Sequence, residues 1–526
     1  MTGRNYSDRS LGVAGMDLET KVGQLFTYRM GDSPTELDRS DRSFLETYRP
    51  GGVIINPHNI ESREQIASYV SGLQAANEDL GHPAPMIVCA DQRGGDRLIL
   101  GPDSGGLEVP APIAQTAIDG DHEQIGYDIG EAMGRDVLDI GFNLGLAPYG
   151  DFREVVAEDE SFGNTMMGSD PDTNAALSVG LARGMAAVGL GTTYCVFPSG
   201  YGSLDRDPHY ATGVIDADED ELRDRYLTVP RAAIEAGVDS VMLSHFAFPG
   251  FDPEGNPATY SEPIIRDVLR DDLGFDGMVM TDAIKMSGAA DHAGGSGEAA
   301  VRSIQAGADM ILCSDWEELL AVEAAVREGR IPEARIDEAV RRVLDLKSSL
   351  QRTVPGDRSE PDPVDQGRMA NLTRRSITWY RRSNEWETAD AGDSVVAIAK
   401  WRAFLAATGE VAGDTITTIR LPETNHLKDI DVDDRKELVT RRTDRENRLL
   451  LGTSDTDDLE LADRLADSGY DVCVVHAGAT QQIQALEGVE AALLCYSHTP
   501  IACRKAIGVY YGTESAEGKL PVPLES

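Results

Sequence analysis

Short apolar runs recur along the first 320 or so residues of the chain, and several of them stop abruptly at a polar residue. The clearest is Met278-Val279-Met280, which follows a glycine turn and ends at Thr281-Asp282. Such a run is typical of a buried strand that carries a working side chain at its carboxyl end. Similar runs end at Asp91 and His245, and others lie at Gly51–Asn56, Phe142–Pro148, Gly189–Phe197 and Ala308–Cys313.

Helical stretches separate these runs, among them Ser62–Asp79, Asp172–Ala187 and Ser296–Ala306. Strands and helices that alternate about every 30–50 residues are typical of parallel βα units, and apolar strands of this kind are buried on both faces. About eight strands fit between Val22 and residue 320, the number that closes a (β/α)8 barrel. The sequence therefore predicts an α/β fold with a TIM-like barrel, and a doubly wound open sheet is the alternative.

A second region follows a stretch rich in Pro, Gly and charge at residues 353–363. We predict a barrel domain over 1–350, a linker over 351–368 and a smaller α/β sandwich over 369–526. Its apolar strands are expected at Ser394–Ala399, Thr415–Leu421, Arg448–Leu451, Val472–His476 and Ala491–Cys495. This second domain could shield a site, add a loop to it or mediate homodimerisation, and the sequence leaves these roles open.

The charge of the chain restricts its partners. Acidic residues number 90 against 48 basic ones, which gives a net charge of -42, and only eight of the basic residues are lysine. A surface of this sign repels nucleic acid and anionic membranes, so neither is an expected partner. Dispersed acidity with scarce lysine resembles proteins of salt-in halophiles, in which salt screens the self-repulsion. We therefore expect marginal stability at low salt.

The six cysteines lie far apart and mostly inside apolar runs, which indicates reduced core thiols. No apolar stretch is long enough for a membrane span, and the first residues lack the apolar core of a signal peptide, so a cytoplasmic location is expected. No set of His, Cys and carboxylates has the spacing of metal ligands, so neither a metal nor a cofactor is expected.

Two polar stretches stand beside Asp282 as candidates for chemistry. In Asp207-Pro208-His209 the carboxylate can hold the nearby imidazole, fix its tautomer and raise its basicity. In Asp91-Gln92-Arg93-Gly94-Gly95 an acid ends a strand, and the two glycines allow a tight turn near a ligand. Each stretch alone is weak evidence, because exposed Asp, His and paired Gly are common in loops.

Together these stretches resemble glycoside hydrolase family 3, over nearly the whole chain. The most specific match is Leu273–Gly277 followed by Thr281–Met286, which is similar to the family's L-G-F-D-G and [ST]-D-x-L-x-M. Further similar stretches are Gly51–Ile55, Asp91–Gly95, Ser161–Gly163 with Asp170-Pro171, Phe197–His209 and Gly518–Val522.

The resemblance implies a retaining β-glycosidase, nearest to the family's β-N-acetylglucosaminidase branch, that acts on a β-linked glycoside or amino-sugar oligosaccharide. It implies that Asp282 is the nucleophile and that His209, stabilised by Asp207, is the acid/base. It implies that Asp91 grips hydroxyls of the sugar and that His245 lies near the active-site face.

Several expected sugar-binding positions depart from the family pattern. Cys195 and Val196 replace Lys and His, and Glu160 replaces Arg. Arg93 and Asp96 replace a Glu and an Arg, which suggests the hypothesis that a local ion pair survives with its signs exchanged. Losing three charged donors at about 1.5–3 kcal/mol each predicts weak binding of a standard N-acetylglucosamine.

Two other functions remain open at this point. A histidine acid/base would not repel phosphate as a carboxylate would, so the same residues could serve a glycoside phosphorylase. Alternatively, the altered sugar-binding positions could mark an inactive barrel that acts as a binding protein. Retention of Asp282, Asp207 and His209 favours an enzyme over the binding protein.

Overall fold

Eight parallel strands close into a barrel in the computed structural model, which confirms the predicted α/β barrel and excludes the open sheet. Each strand pairs with its neighbours in sequence, and β1 pairs with both β2 and β8. The strands are β1 Phe26–Arg29, β2 Gly52–Ile54, β3 Ile87–Ala90, β4 Leu144–Gly145, β5 Gly191–Phe197, β6 Ser240–Leu243, β7 Met278–Ala283 and β8 Met310–Ser314. The structure describes residues 13–31, 37–82, 84–151, 163–200, 212–350, 360–384, 386–390, 393–413, 416–422 and 431–522.

Strand β7 forms where the sequence predicts it, because its apolar residues fill the barrel and a glycine turn precedes it. Met278, Val279 and Met280 are buried in the barrel core. Gly274 adopts a φ of 67°, which favours glycine. Gly277 must also be small, since a Cβ there would lie 2.6 Å from the carbonyl oxygen of Asp239. The turn therefore delivers the strand, and Asp282 with it, to a fixed position.

Helices surround the barrel, and many begin at a side chain that caps them. Asp17, Ser62 and Asp170 each accept a hydrogen bond from a backbone N–H in the first helical turn. The α-helices up to residue 376 are Leu18–Gly23, Arg39–Tyr48, Arg63–Asp79, Pro112–Ala117, His122–Leu138, Pro171–Val188, Glu219–Glu221, Thr228–Glu235, Ser287–Ala293, Ser296–Ala306, Trp316–Arg327, Glu333–Ser349 and Pro363–Ser376. Two π-helical segments, Leu222–Tyr226 and Pro263–Asp272, add to them.

A six-stranded sheet follows the barrel, with the spatial order β9-β14-β13-β12-β10-β11. Its strands are β9 Thr378–Arg382, β10 Val395–Ala399, β11 Thr417–Arg420, β12 Arg448–Thr453, β13 Asp471–His476 and β14 Ala491–Leu494. Among these six described strands, only the edge strand β9 runs antiparallel, to β14. The helices Arg402–Ala412, Val432–Thr440, Thr456–Ala466 and Pro500–Tyr510 accompany this sheet.

Both faces of the second sheet are covered, as a three-layer sandwich requires. Along β10, Val396 and Ile398 belong to one apolar core, while Val395 and Ala397 belong to another. This alternation follows from the two-residue period of a strand. The smaller α/β sandwich predicted from the sequence is therefore confirmed.

The barrel and the second sheet are packed through apolar as well as polar contacts. Helix Pro112–Ala117 of the barrel side contributes Ile113 and Ala114 to a core of the second sheet. Conversely, Met369 and Leu372 of helix Pro363–Ser376 join the barrel core. Because each part contributes side chains to the core of the other, the two parts are held in one arrangement.

All six cysteines are free thiols, and all but Cys313 are buried. The five buried cysteines confirm the predicted core positions, and their reduced state stays a prediction. Among the residues that the structure describes, none of the helices is long and apolar enough to cross a membrane.

Candidate active site

Asp282 lies at the carboxyl end of β7, where the barrel opens to solvent. Its side chain is partly buried, and its Oδ1 accepts a hydrogen bond of 2.7 Å from the backbone N–H of Ala283. Just before it, the buried Thr281 accepts a hydrogen bond of 3.1 Å from the backbone N–H of Leu312 on β8. The last residues of β7 are thus hydrogen-bonded to the neighbouring strand β8. This contact orients the Asp282 carboxylate.

His245 contacts the backbone of Ala283, the residue that follows Asp282 at the end of β7. Its side chain is fully buried, and Nε2 lies 3.1 Å from the carbonyl oxygen of Ala283, to which it must donate. Its Nδ1 lies 2.5 Å from the hydroxyl oxygen of Thr259, which is also 2.8 Å from the carbonyl oxygen of Ser244. These contacts fix the backbone directly after Asp282. A direct contact between His245 and a sugar stays a prediction.

Asp91 and Arg93 follow β3 and form an ion pair at the mouth of the barrel. The Arg93 Nη2 lies 3.2 Å and 3.3 Å from the two carboxylate oxygens of Asp91. The guanidinium lies over the ring of Tyr149, with Cζ 3.9 Å from the ring centre. Aromatic stacking and the ion pair together hold Arg93 in one orientation.

Cys195, near the end of β5, lies beside this pair. Burial raises the pKa of its thiol well above the ordinary value, although the positive charge of Arg93 lowers it. Cys195 is therefore a neutral thiol at physiological pH and not a nucleophile. Val196 is also buried, within the barrel core. Neither residue offers the charged donor that the family pattern has at these positions.

The electrostatics of Arg93 connect the two acids of the site. Burial of its guanidinium would lower its pKa, but nearby acidic groups, Asp91 first and Asp282 among them, raise it above its usual value. Arg93 therefore stays charged, and it lies close enough to Asp282 for the two charges to interact. Asp91, Arg93, Cys195 and Asp282, which the sequence predicts as site residues, are brought together in the structure.

The structure corrects the hypothesis of an exchanged ion pair between Arg93 and Asp96. Arg93 pairs with Asp91, whereas Asp96 accepts hydrogen bonds of 2.9 Å from both the backbone N–H and Nδ1 of His498 in the second sheet region. The physical reason is the tight turn Gly94–Arg97, in which Gly94 and Gly95 have φ values of 110° and 59°. The turn directs the side chains of Arg93 and Asp96 to different partners.

Three predicted site residues, Glu160, Asp207 and His209, lie outside the described residues. Gly200 is the last described residue before Asp207. The backbone N–H of Gly200 donates a 2.5 Å hydrogen bond to the buried carboxylate of Asp151.

Sequence reasoning did not identify Tyr149, Thr259 or Asn164 as site or support residues. Tyr149 had a usable signal, since it directly follows the apolar run that ends at Pro148. Thr259 and Asn164 had none, because their partners are distant in sequence.

Comparison with known proteins identifies the relatives of this chain. The family model described as "Glycosyl hydrolase family 3 N terminal domain" matches residues 17–346. A beta-hexosaminidase of Stenotrophomonas maltophilia (strain R551-3) is 33% identical over 293 residues, which cover 54% of this chain and 82% of that protein. A beta-hexosaminidase of Vibrio cholerae serotype O1 (strain M66-2) is 31% identical over 301 residues, which cover 57% of this chain and 86% of that protein.

Among solved structures, a family 3 beta-N-acetylglucosaminidase from Paenibacillus sp. str. FPU-7 is similar along both parts of the chain. Its TM-score is 0.86 at 27% sequence identity, with 97% of this chain and 99% of that chain covered. The similarity therefore extends beyond the matched barrel to the second sheet.

Proposed function

Because the chain belongs to glycosyl hydrolase family 3, we propose that it cleaves β-glycosidic bonds with retention of configuration and with Asp282 as nucleophile. It is a β-glycosidase nearest to the β-N-acetylglucosaminidases. The observation that carries the proposed role is the position of Asp282, a partly buried carboxylate at the carboxyl end of β7 in a closed barrel. This end of a barrel is where active sites form.

The reaction follows a two-step course. An oxygen of the Asp282 carboxylate attacks the anomeric carbon, and the bond from that carbon to the leaving oxygen breaks as the oxygen takes a proton. Water then attacks the glycosyl-enzyme, gives up a proton and releases the sugar. From the sequence motif we assign the proton transfers to His209, with Asp207 stabilising the imidazolium.

Binding of the reacting sugar rests on Asp91 and Arg93 in this proposal. A cavity of about 330 Å³ opens beside Asp91, whose carboxylate is partly exposed and can accept hydrogen bonds from hydroxyls. The ring of Tyr149 holds Arg93, which supplies the positive charge beside the neutral Cys195. Since Cys195 and Val196 provide no charged donor, and Glu160 replaces an Arg of the family pattern, we expect a sugar preference different from that of the relatives.

Turnover of a panel of 4-nitrophenyl β-glycosides in molar KCl tests the proposal. We expect Asp282→Asn to lower kcat/KM by more than about a thousandfold, because no glycosyl-enzyme can form. Asp276→Asn, an exposed acid in the turn before β7, is the matched control and should keep full activity. Absence of turnover for every glycoside, or equal activity of Asp282→Asn, would refute the proposal. Release of sugar 1-phosphate only when phosphate is added would identify a phosphorylase instead.

The acidic composition supports a second proposal, adaptation of this protein to a salt-rich, reducing compartment such as a halophile cytoplasm. The net charge of -42 destabilises the folded state unless salt screens it, and the free thiols fit a reducing environment. We expect the Tm to rise between dilute buffer and 2 M KCl. An unchanged or falling Tm would contradict the proposal.

A further inference from the structure

The tight turn Gly94–Arg97 directly follows Arg93, which forms the ion pair with Asp91. The backbone N–H groups of Arg93 and Gly94 both donate to the carbonyl oxygen of Arg97, and the N–H of Arg97 donates back to that of Gly94. The first two residues of the turn are glycines with φ values of 110° and 59°, conformations that glycine adopts and leaves at little cost. Contacts outside the turn therefore decide how firmly it is held, and Arg93 with it.

One such contact joins the turn to the second domain through Asp96. Its Oδ1 accepts a hydrogen bond of 2.9 Å from the backbone N–H of His498, and its Oδ2 lies 2.9 Å from Nδ1 of the same residue. Nδ1 must carry the hydrogen, because a carboxylate only accepts. The imidazole itself lies edge-on to the ring of Trp401, with the ring centres 4.6 Å apart. The ring contact and the two hydrogen bonds together fix the carboxylate of Asp96 in one geometry.

A second contact to the same part of the second domain comes from Glu108. The backbone N–H of Gly95 donates to the carbonyl oxygen of Val109 at 2.8 Å, and the neighbouring Glu108 accepts a hydrogen bond of 2.8 Å from the backbone N–H of Ile501. Ile501 lies in the first turn of helix Pro500–Tyr510, where N–H groups lack partners within the helix and favour a negative charge. The N-cap residue of this helix makes no side-chain capping hydrogen bond, so Glu108 of the barrel domain serves instead.

The contact of Asp96 depends on a residue at which this chain departs from the family pattern. Asp96 stands where that pattern has an Arg. A guanidinium has only donors, so an Arg at this position could not accept from the backbone N–H of His498. The departure therefore replaces a positive side chain by one that joins the turn to residues 498–501, the same short segment that Glu108 contacts.

We propose that His498 of the second domain is a positioning residue for the sugar-binding pair Asp91 and Arg93, and that it acts through Asp96. The proposal rests on the glycosidase function proposed above. The second domain then contributes to sugar binding by holding the turn after β3, without itself contacting the reacting sugar. Loss of the imidazole should weaken binding of the sugar, because Asp91 and Arg93 would no longer be held in one arrangement.

The kinetic test compares His498→Ala with His498→Asn on the nitrophenyl glycoside that turns over fastest. We expect His498→Ala to raise KM about tenfold, the effect of one lost hydrogen bond to a charged group, with kcat within about twofold of the wild type. His498→Asn should restore KM to within about threefold, because its Nδ2 can donate in place of Nδ1. Lys519→Ala, which breaks the ion pair with Asp119 between the two domains, is the control and should leave KM unchanged. An unchanged KM in His498→Ala, or an equal rise in His498→Asn, would overturn the proposal.

Hydrogen–deuterium exchange separates failure of this proposal from failure of the glycosidase function, because it needs no substrate. The backbone N–H groups of Arg93, Gly94, Gly95 and Arg97 are all hydrogen-bonded, so their exchange reports opening of the turn. The peptide that contains them should exchange about tenfold faster in His498→Ala than in the wild type or Lys519→Ala. Faster exchange supports the positioning role even if the wild type hydrolyses no glycoside. Unchanged exchange overturns that role, whereas turnover of glycosides by the wild type would still support the glycosidase.

Discussion

Replacing Asn164 by alanine should loosen the barrel from the second sheet. Asn164 is 9% exposed; its two N–H groups share three backbone carbonyl oxygens across the junction, and its Oδ1 accepts from the N–H and the hydroxyl of Thr480. The amide orientation is unambiguous, because carbonyl oxygens only accept and a backbone N–H only donates.

The magnitude follows from these contacts. A neutral hydrogen bond contributes about 1 kcal/mol net, and the amide of Asn164 supplies two N–H groups and accepts two bonds. Water would restore part of these bonds in the variant, so Asn164→Ala should lower the free energy of unfolding by about 3 kcal/mol. Asn164→Asp is nearly isosteric but should be worse. It retains the acceptor for Thr480, yet it turns a carboxylate towards three carbonyl oxygens and buries its charge, which costs several kcal/mol.

Urea unfolding in molar KCl, followed by tryptophan fluorescence, measures both variants. Three of the four tryptophans, Trp379, Trp386 and Trp401, lie in the second sheet region and report its release. The expected order of stability is wild type, Asn164→Ala, Asn164→Asp. A loss below about 0.5 kcal/mol for Asn164→Ala, or an Asn164→Asp variant as stable as the wild type, would refute the reasoning.

Three further predictions concern other parts of the molecule. Burial lowers the pKa of Lys347 to about 7, so between pH 7.5 and 9.5 the unfolded chain binds one more proton than the folded one at this position. Wild-type stability should therefore rise with pH by about 1.4 kcal/mol per unit more steeply than that of Lys347→Met in parallel urea titrations, and equal slopes would contradict this. Gly95→Ala should lower kcat/KM by about tenfold or more, because φ is 59° and the new Cβ would meet that of Ala111 at 2.6 Å; unchanged kinetics would show that the turn can adapt. Cys195 should resist iodoacetamide at pH 8 in the native protein because its thiol is buried and its pKa is raised, which peptide mass spectrometry checks; rapid alkylation would exclude the buried position.

Most of the fold could be predicted from the sequence, because its strands are apolar runs with polar ends. Helix Ser296–Ala306 has the predicted bounds. The run Phe142–Pro148 yields only the short strand Leu144–Gly145, since the side chain of Asn143 accepts the Val88 N–H in place of a backbone group. The sequence does not predict strand β9, because this edge strand carries two arginines and lacks a clear apolar pattern.

The candidate site was predictable in its acids and less so in its partners. In the sequence, Asp91 and Asp282 each end an apolar run. The structure places both at the carboxyl ends of barrel strands. The partner of Arg93 depended on the direction of a glycine turn, which the sequence pattern does not specify. The contacts of His245 with Thr259 and Ala283 join separate elements and arise only in the folded barrel.

The most direct test of the central claim is to trap the glycosyl-enzyme. The protein is incubated with a 2-deoxy-2-fluoro β-glycoside of the preferred sugar that carries a good leaving group, then digested and analysed by mass spectrometry. If Asp282 is the nucleophile, one fluorosugar is attached to the peptide that contains it, and Asp282→Asn acquires none. A label on another residue, or turnover that inverts the anomeric configuration, would contradict the account.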